Sequence, residues 1–336
     1  MRWDGRRTAA VILALFMIFG AAGAQAAGQD VYLIESFEDL EAFSRMVSEK
    51  TSPFSGRVYL TQDIEAERPF VPIGSPEHMF SGEFDGNGHE ISGLRIRGTG
   101  EFSGLFGYVG IGGTVKNLTL TGAFVSGERY TGGIAGYTAG TIMDCMVSDS
   151  RVHGKSLNEY GAATGGIVGL TCGKIVGCVN LNTKVSGRRN VGGVVGSLCA
   201  SVMEGCLNTG NVFSWERGDA LVGGVVGGVQ TGGEVVRCIA AGNVYAPEAS
   251  WAGGVAGGLL SGSMAGCIFL GRIEGREPGG VAGFAAKRAQ IMACRFSEQN
   301  GAGVGEGRQD GTEALPGARR IRLDQNLLLP ISQANR

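Results

Sequence analysis

The chain has 336 residues, 61 of them glycine, with 18% charged residues and a net charge of −2. That balance excludes a basic nucleic-acid footprint, and 43% apolar content excludes a disordered acidic chain. The length could hold two ordinary domains, but a repeat running through most of the chain argues for one.

At the N-terminus, Arg2, Arg6 and Arg7 precede an apolar run from Ala9 to Phe19 and the small-residue site Ala24-Gln25-Ala26. Residues 1–26 therefore read as a secretory signal peptide, too short for a membrane span. Arg6-Arg7 invites a twin-arginine reading that Thr8, Ala9 and Ala10 do not support, so the general export route is expected. No second apolar stretch approaches the length of a span, and none is expected in the mature chain. The expected location is secreted or at the cell surface, with the periplasm also open.

Residues 27–79 read as an N-terminal cap with lead-in strands. Ser36 can cap a helix over 36–48, acidic residues fill its first turn, and Phe37, Leu40, Phe43 and Val47 share one face. A stack of repeats needs its open end covered, which gives this helix a natural role. Val58-Tyr59-Leu60 and Val71-Pro72-Ile73 can add an irregular turn.

From 80 to 300 the chain repeats itself. GGIAG starts at Gly132, GGIVG at Gly165, GGVVG at Gly192 and Gly223, and GGVAG at Gly253 and Gly279, with steps of 33, 27, 31, 30 and 26 residues. The apolar runs between are short, β-branched and bounded by turn residues, which is strand rather than helix chemistry. Two or three strands per unit fit a right-handed parallel β-helix of about eight coils, better than the hexapeptide units of a left-handed one. Cys145, Cys178, Cys206, Cys238, Cys267 and Cys294 each follow their glycine motif by 9 to 11 residues. Leu118 takes that position one coil earlier, and Leu94 is expected there in the coil before it. A buried core stack of small apolar side chains explains the alignment. Cys172 and Cys199 each fall three residues after their motif, so they should stack on adjacent coils and could form a disulfide. Residues 301–336 lose the repeat and read as a loosely ordered tail.

The chemistry of a catalytic site is thin. His78, His89 and His153 are the only histidines, none at ligand spacing to another. No C-x-x-C occurs, and Asp85-Gly86-Asn87-Gly88 reads as a tight turn before a strand rather than a calcium loop. Asp144, Asp149, Glu204 and Glu234 occupy different coil positions or distant coils, whereas acid-base cleavage of a polysaccharide wants paired carboxylates. No metal and no cofactor are expected.

The unit GGIVGLTCGKIVGCVNLNTKVSG and its sisters resemble the GLUG motif, and VYLTQDIEAERPFVPIGSPEHMFSGEFDGNGHEISGLRI resembles the segment that commonly precedes such repeats. The likeness runs from Val31 to about Asn300. It implies an exported bacterial β-solenoid of adhesin-like kind; similar repeats occur in the non-catalytic regions of IgA-cleaving metallo-endopeptidases. The only His-Glu pair here, His89-Glu90, continues Ile-Ser-Gly, so the zinc motif of those enzymes is missing.

The variable segments just before each Gly-Gly pair should emerge along one side of the stack. They carry Tyr130, Tyr160, Arg188, Trp215, Arg217 and Trp251, aromatics beside charges that can stack sugars or grip a protein. The functional expectation is a non-catalytic surface binding or scaffold protein that engages a glycan or a host or neighbouring surface protein there. A polysaccharide lyase or hydrolase and a purely structural spacer are the alternatives.

Overall fold

Short β-branched runs between glycines give strands of two to six residues, each too short to stand alone and each paired in parallel with its counterpart one coil on. The computed structural model describes residues 30–98, 100–155, 161–276, 278–297, 300, 302–307 and 312–315. The expected signal peptide and Tyr160 lie outside the described residues. One coil shows the plan: Thr141–Met143 lies in sheet I, Met146–Ser148 in sheet II, Arg151–Gly154 in sheet III, Ala163–Gly165 in sheet IV and Val168–Thr171 in sheet V. Sheets I to V hold ten, ten, seven, six and eight strands, stacked into an all-β parallel solenoid of about nine turns.

Three sequence expectations change. Each full coil gives five short strands rather than two or three, because glycine pairs and single-residue turns cut every apolar run. The stack also starts before residue 80 and continues past 300. Val31–Ile34 and Arg57–Leu60 open sheet I, while Val304–Gly307 and Thr312–Leu315 extend sheets V and II. Leu94, finally, is buried one element later than expected. Thr119 pairs with Glu90, which sets His89 beneath Leu118, and Leu94 instead precedes the sheet III strand Arg95–Arg97.

One helix, Phe37–Glu49, begins at Ser36, whose Oγ accepts a hydrogen bond from the Asp39 N–H. It buries Phe37, Leu40, Phe43 and Val47. Phe43 meets Phe54 edge-on at 5.1 Å and approaches Phe80 and Phe84, so the first coils are filled by rings. Further along, valine, isoleucine and cysteine predominate, until the Phe269 and Phe296 rings fill the interior again near the far end.

The glycine motif has a steric cause. Its last glycine, at 136, 169, 196, 227, 257 and 283, lies in sheet V against the sheet IV backbone of the preceding coil. A Cβ on Gly136 would sit 2.6 Å from the Ser103 nitrogen, and one on Gly227 2.6 Å from the Val191 nitrogen. Sheets IV and V therefore pack with no side chain between them at this position, which only glycine permits.

The cysteine stack follows from a turn. The residue before each stacked position is left-handed in every coil: Asn117, Asp144, Gly177, Gly205, Arg237, Gly266 and Ala293. The following side chain is thrown inward, so Leu118 and the six cysteines are buried. Each thiol donates to the carbonyl two residues back, as from Cys178 to Val176 at 3.4 Å. Cysteine fits because it is small, apolar and able to satisfy that carbonyl. Beside this stack runs a buried polar ladder that the sequence reading missed. Asn180 Nδ2 donates to Asn208 Oδ1 at 2.8 Å, and Asn208 Nδ2 donates to the carbonyls of Gly210 and Gly224 at 2.9 and 2.7 Å.

Candidate binding surfaces

The variable segments join sheet III to sheet IV, and the residues expected to form one site separate onto two surfaces. Tyr130 and Trp251 are not loop residues at all. They lie in sheet IV strands Tyr130–Thr131 and Ala249–Gly253, with outward side chains that face sheet V across the glycine contact. Tyr130 stacks on Phe102 at 5.4 Å, and Phe102 meets Tyr108 and Tyr137, which stack on each other at 4.4 Å. At the far end Trp251 packs on Phe284 at 5.5 Å and its Nε1 donates to Glu306 at 2.7 Å. Between these ends, Leu221 covers Gly228 and Gly258. The seam is largely self-satisfied, since its rings fold onto one another and Trp251 is already hydrogen-bonded. Burial raises the Tyr130 hydroxyl above the usual phenol range, against the lowering by the adjacent Arg129 guanidinium.

Two arginines of this edge are neutralised within the stack. Arg129 pairs with Glu101 at 2.6 Å, and Arg188 pairs with Glu216, also at 2.6 Å, across adjacent coils. The Glu216 side chain is nearly buried, and the backbone N–H of Glu216 donates to Ser214 Oγ at 3.2 Å. Arg217, the next residue but one from Trp215, is exposed.

Trp215 goes elsewhere. It leaves its coil after the sheet III strand Val212–Ser214, reaches back two coils and stacks on the His153 ring at 5.3 Å, while 47% exposed. His153 Nδ1 lies 3.0 Å from Ser186 Oγ. Burial holds the His153 imidazole below its ordinary value of 6.5, with Lys155 and Lys184 adding repulsion. Together Phe124, Arg151, His153, Lys184 and Ser186 line an open depression of about 270 Å³ on the outer face of sheet III. The sequence carried a signal for this face: polar or aromatic residues flank the buried valine position in Arg95-Ile96-Arg97, Arg151-Val152-His153 and Lys184-Val185-Ser186.

A second depression, about 400 Å³, is lined by Gly112, Gly113, Gly140, Gly173, Ala200 and Lys174, among others, with Cys172 at its rim. Thr171 pairs with Leu198, so Cys172 and Cys199 follow in register on adjacent coils. Both are free thiols, Cys172 exposed and Cys199 partly so. Burial, followed by the neighbouring Cys172 sulfur, raises the Cys199 thiol. Of the other histidines, His89 lies 3.1 Å from Asp63, and His78 Nδ1 lies 2.7 Å from the Lys50 carbonyl oxygen. Among the described residues no three His, Cys, Asp or Glu side chains converge as a metal site, and no helix is long and apolar enough to cross a membrane.

No family model matches the chain. Halomucin of Haloquadratum walsbyi is 31% identical over 129 residues, which is 35% of this chain and 1% of that protein. A provisionally named Gly-rich membrane protein of Evansella cellulosilytica is 31% identical over 137 residues, 38% of this chain and 15% of that protein. The chain thus spans only a small part of the length of these relatives. Among solved structures, a provisionally named immunoglobulin A1 protease of Bacteroides ovatus superposes with a TM-score of 0.58 at 19% identity, over 84% of this chain and 83% of that one. That likeness is one of fold, and it describes a parallel β-solenoid.

Proposed function

We propose that the protein is an exported, non-catalytic, adhesin-like binding scaffold, a right-handed solenoid of GLUG type that engages a glycan or a neighbouring surface protein from the side where sheet III gives way to sheet IV. One observation carries this reading. Trp215 is half-exposed, drawn away from its own coil and stacked on His153, whose side chain lines an open depression, an arrangement that serves a ligand better than it serves the core. The name of one relative refers to a membrane, which supports an extracellular or membrane-associated setting. The N-terminal helix, seated on the ring-filled first coils, would serve as the cap of the stack.

The test is a glycan and extracellular-matrix protein array probed with the wild type and with Trp215→Ala and Trp251→Ala as separate variants. Binding is expected in the wild type, lost in Trp215→Ala and largely kept in Trp251→Ala, whose ring is committed to Phe284 and Glu306. An array with no binding, or binding indifferent to Trp215, refutes the reading.

A further inference from the structure

The outer face of sheet III carries Arg95, Arg97, Arg151 and Lys184 on neighbouring strands. Two outward columns run along the stack. The register aligns Arg95, Phe124, Arg151 and Lys184 in one, and Arg97, Ser126, His153, Ser186, Phe213, Tyr245 and Glu274 in the other. Buried Ile96, Val125, Val152, Val185, Val212 and Val244 lie between them, so the columns are held on a rigid floor. Neighbouring strands lie about 4.8 Å apart, which spaces Arg95 and Lys184 by about 14 Å across three steps.

Arg95, Arg97, Arg151 and Lys184 are not in any ion pair with the described residues, unlike Arg129, Arg188 and Arg237. Arg272 enters the same sheet just before Ile273. The carboxylates nearest the columns stand at their margins, Asp149 in the turn entering Arg151–Gly154 and Glu274 at the far end. The aromatics are arranged flat. Phe213 and Tyr245 stack at 4.9 Å and 12°, Lys184 Nζ sits 4.3 Å over the Phe213 ring, and Trp215 covers His153.

We infer that this face binds a linear uronic-acid polysaccharide laid along the stack, with Arg151 and Lys184 taking carboxylates and the half-exposed Trp215 ring supplying flat apolar contact to a sugar ring. The inference rests on the binding-scaffold reading and names its ligand class. Several things favour this occupant. Arg95, Arg151 and Lys184 are spread along one straight column about 14 Å long, which suits an extended polyanion better than a single small anion. Guanidinium forks pair with carboxylates in two parallel hydrogen bonds. The depression is open to solvent rather than enclosed, as a polymer site must be. Nucleic acid is the competing polyanion, and the chain as a whole is mildly acidic, with a pI near 6.0, contrary to a nucleic-acid footprint.

The test uses polygalacturonate and alginate as probes, with neutral dextran and single-stranded DNA alongside, against wild type, Arg151→Ala/Lys184→Ala and Trp215→Ala. Wild type is expected to bind both uronates and not dextran. Affinity should fall about tenfold or more in the double variant, in keeping with the loss of charge-assisted contacts, and should weaken as salt approaches about 1 M, where screening shortens to about 3 Å. Unchanged thermal unfolding of both variants is expected, since every substituted side chain is outward and the valine floor is intact. Uronate binding indifferent to Arg151 and Lys184, or DNA binding as tight as uronate binding, overturns the inference. Array binding of a neutral glycan or a protein that depends on Trp215, with no uronate binding, also overturns it and leaves the scaffold reading standing.

Discussion

Replacing Gly169 by alanine isolates the contact on which sheets IV and V depend. The new Cβ would lie 2.5 Å from the Thr131 nitrogen, 2.7 Å from the Gly136 carbonyl oxygen and 2.8 Å from the Tyr130 carbonyl carbon. All three are backbone atoms, held in place by parallel ladders on either side, so no side chain can swing away. Restoring an ordinary 3.4 Å contact requires the strands to part by about 0.9 Å. Overpacking of this kind costs about 1–3 kcal/mol, and a rigid backbone partner puts the site at the upper end. Loss of glycine's freedom in the unfolded chain returns about 0.4–1 kcal/mol, leaving a net destabilisation of roughly 2 kcal/mol. Gly205→Ala is the matched control. It has a left-handed φ of +63° but nothing within 4 Å of the added carbon, so only the conformational penalty of about 1–2 kcal/mol applies, less the same return. Urea unfolding supplies both free energies, and hydrogen exchange at residues 130–136 and 163–171 locates the loosening. Gly169→Ala as stable as Gly205→Ala, or exchange unchanged at those strands, would refute the steric account of the glycine motif.

Asn208→Ala strips partners from the Asn180 amide and from the Gly224 carbonyl in a dry interior, so a loss of about 2–4 kcal/mol is expected by urea unfolding, with Asn208→Asp no better. Native protein should expose only Cys172 and Cys199 to a chromogenic thiol reagent, Cys172 faster, and release all eight thiols in urea; rapid native labelling of Cys145, whose thiol burial holds well above its ordinary value, would contradict the stack. Mild oxidation should join Cys172 to Cys199, read as a linked peptide pair by mass spectrometry, with the circular dichroism spectrum unaltered. The folded protein disfavours the His153 imidazolium beside Lys155 and Lys184, with Arg151 on the same strand and Ser186 and Trp215 in contact. The part of stability owed to His153 is therefore intact above the unfolded value of 6.5 and is lost as pH falls through the lowered folded value, whereas uronate affinity should rise over the same interval. Calorimetric titration at pH 6.5 and at successively lower pH should show that rise in wild type and not in His153→Gln; a flat profile in both would remove His153 from the surface.

Much of this architecture is legible in the residues, because each coil repeats the same steric demands. The glycine that lets sheet V touch sheet IV must recur at every coil, and so must the inward valines 152, 185, 212 and 244. The turn that throws the cysteines inward is harder to read, because Asn117, Asp144, Arg237 and Ala293 share its left-handed backbone without sharing a side-chain type. Leu94 slips from its expected place because each coil has a second inward turn position, where Leu94 lines up with the buried Ala123, Ser150 and Thr183 rather than with Leu118. Grouping Trp215 with Trp251 fails for a different reason. Strand register places Trp251 beside Leu221, while the path of an irregular segment, which follows no period, carries Trp215 back to His153. The charges of the edge are similarly opaque in one dimension, since Arg188 and Glu216 are 28 residues apart and meet only by stacking.

The hydrogen bonds between coils all run along the stacking direction, strand to parallel strand, from Val31–Ile34 to the last strands. Pulling the described chain by its two ends would load those ladders in tension rather than in shear. A terminal coil would detach when its own few strands yield, with no help from coils further in. Under traction such a stack should peel one coil at a time. It would lengthen by several nanometres per step and dissipate energy like a tear-away cord.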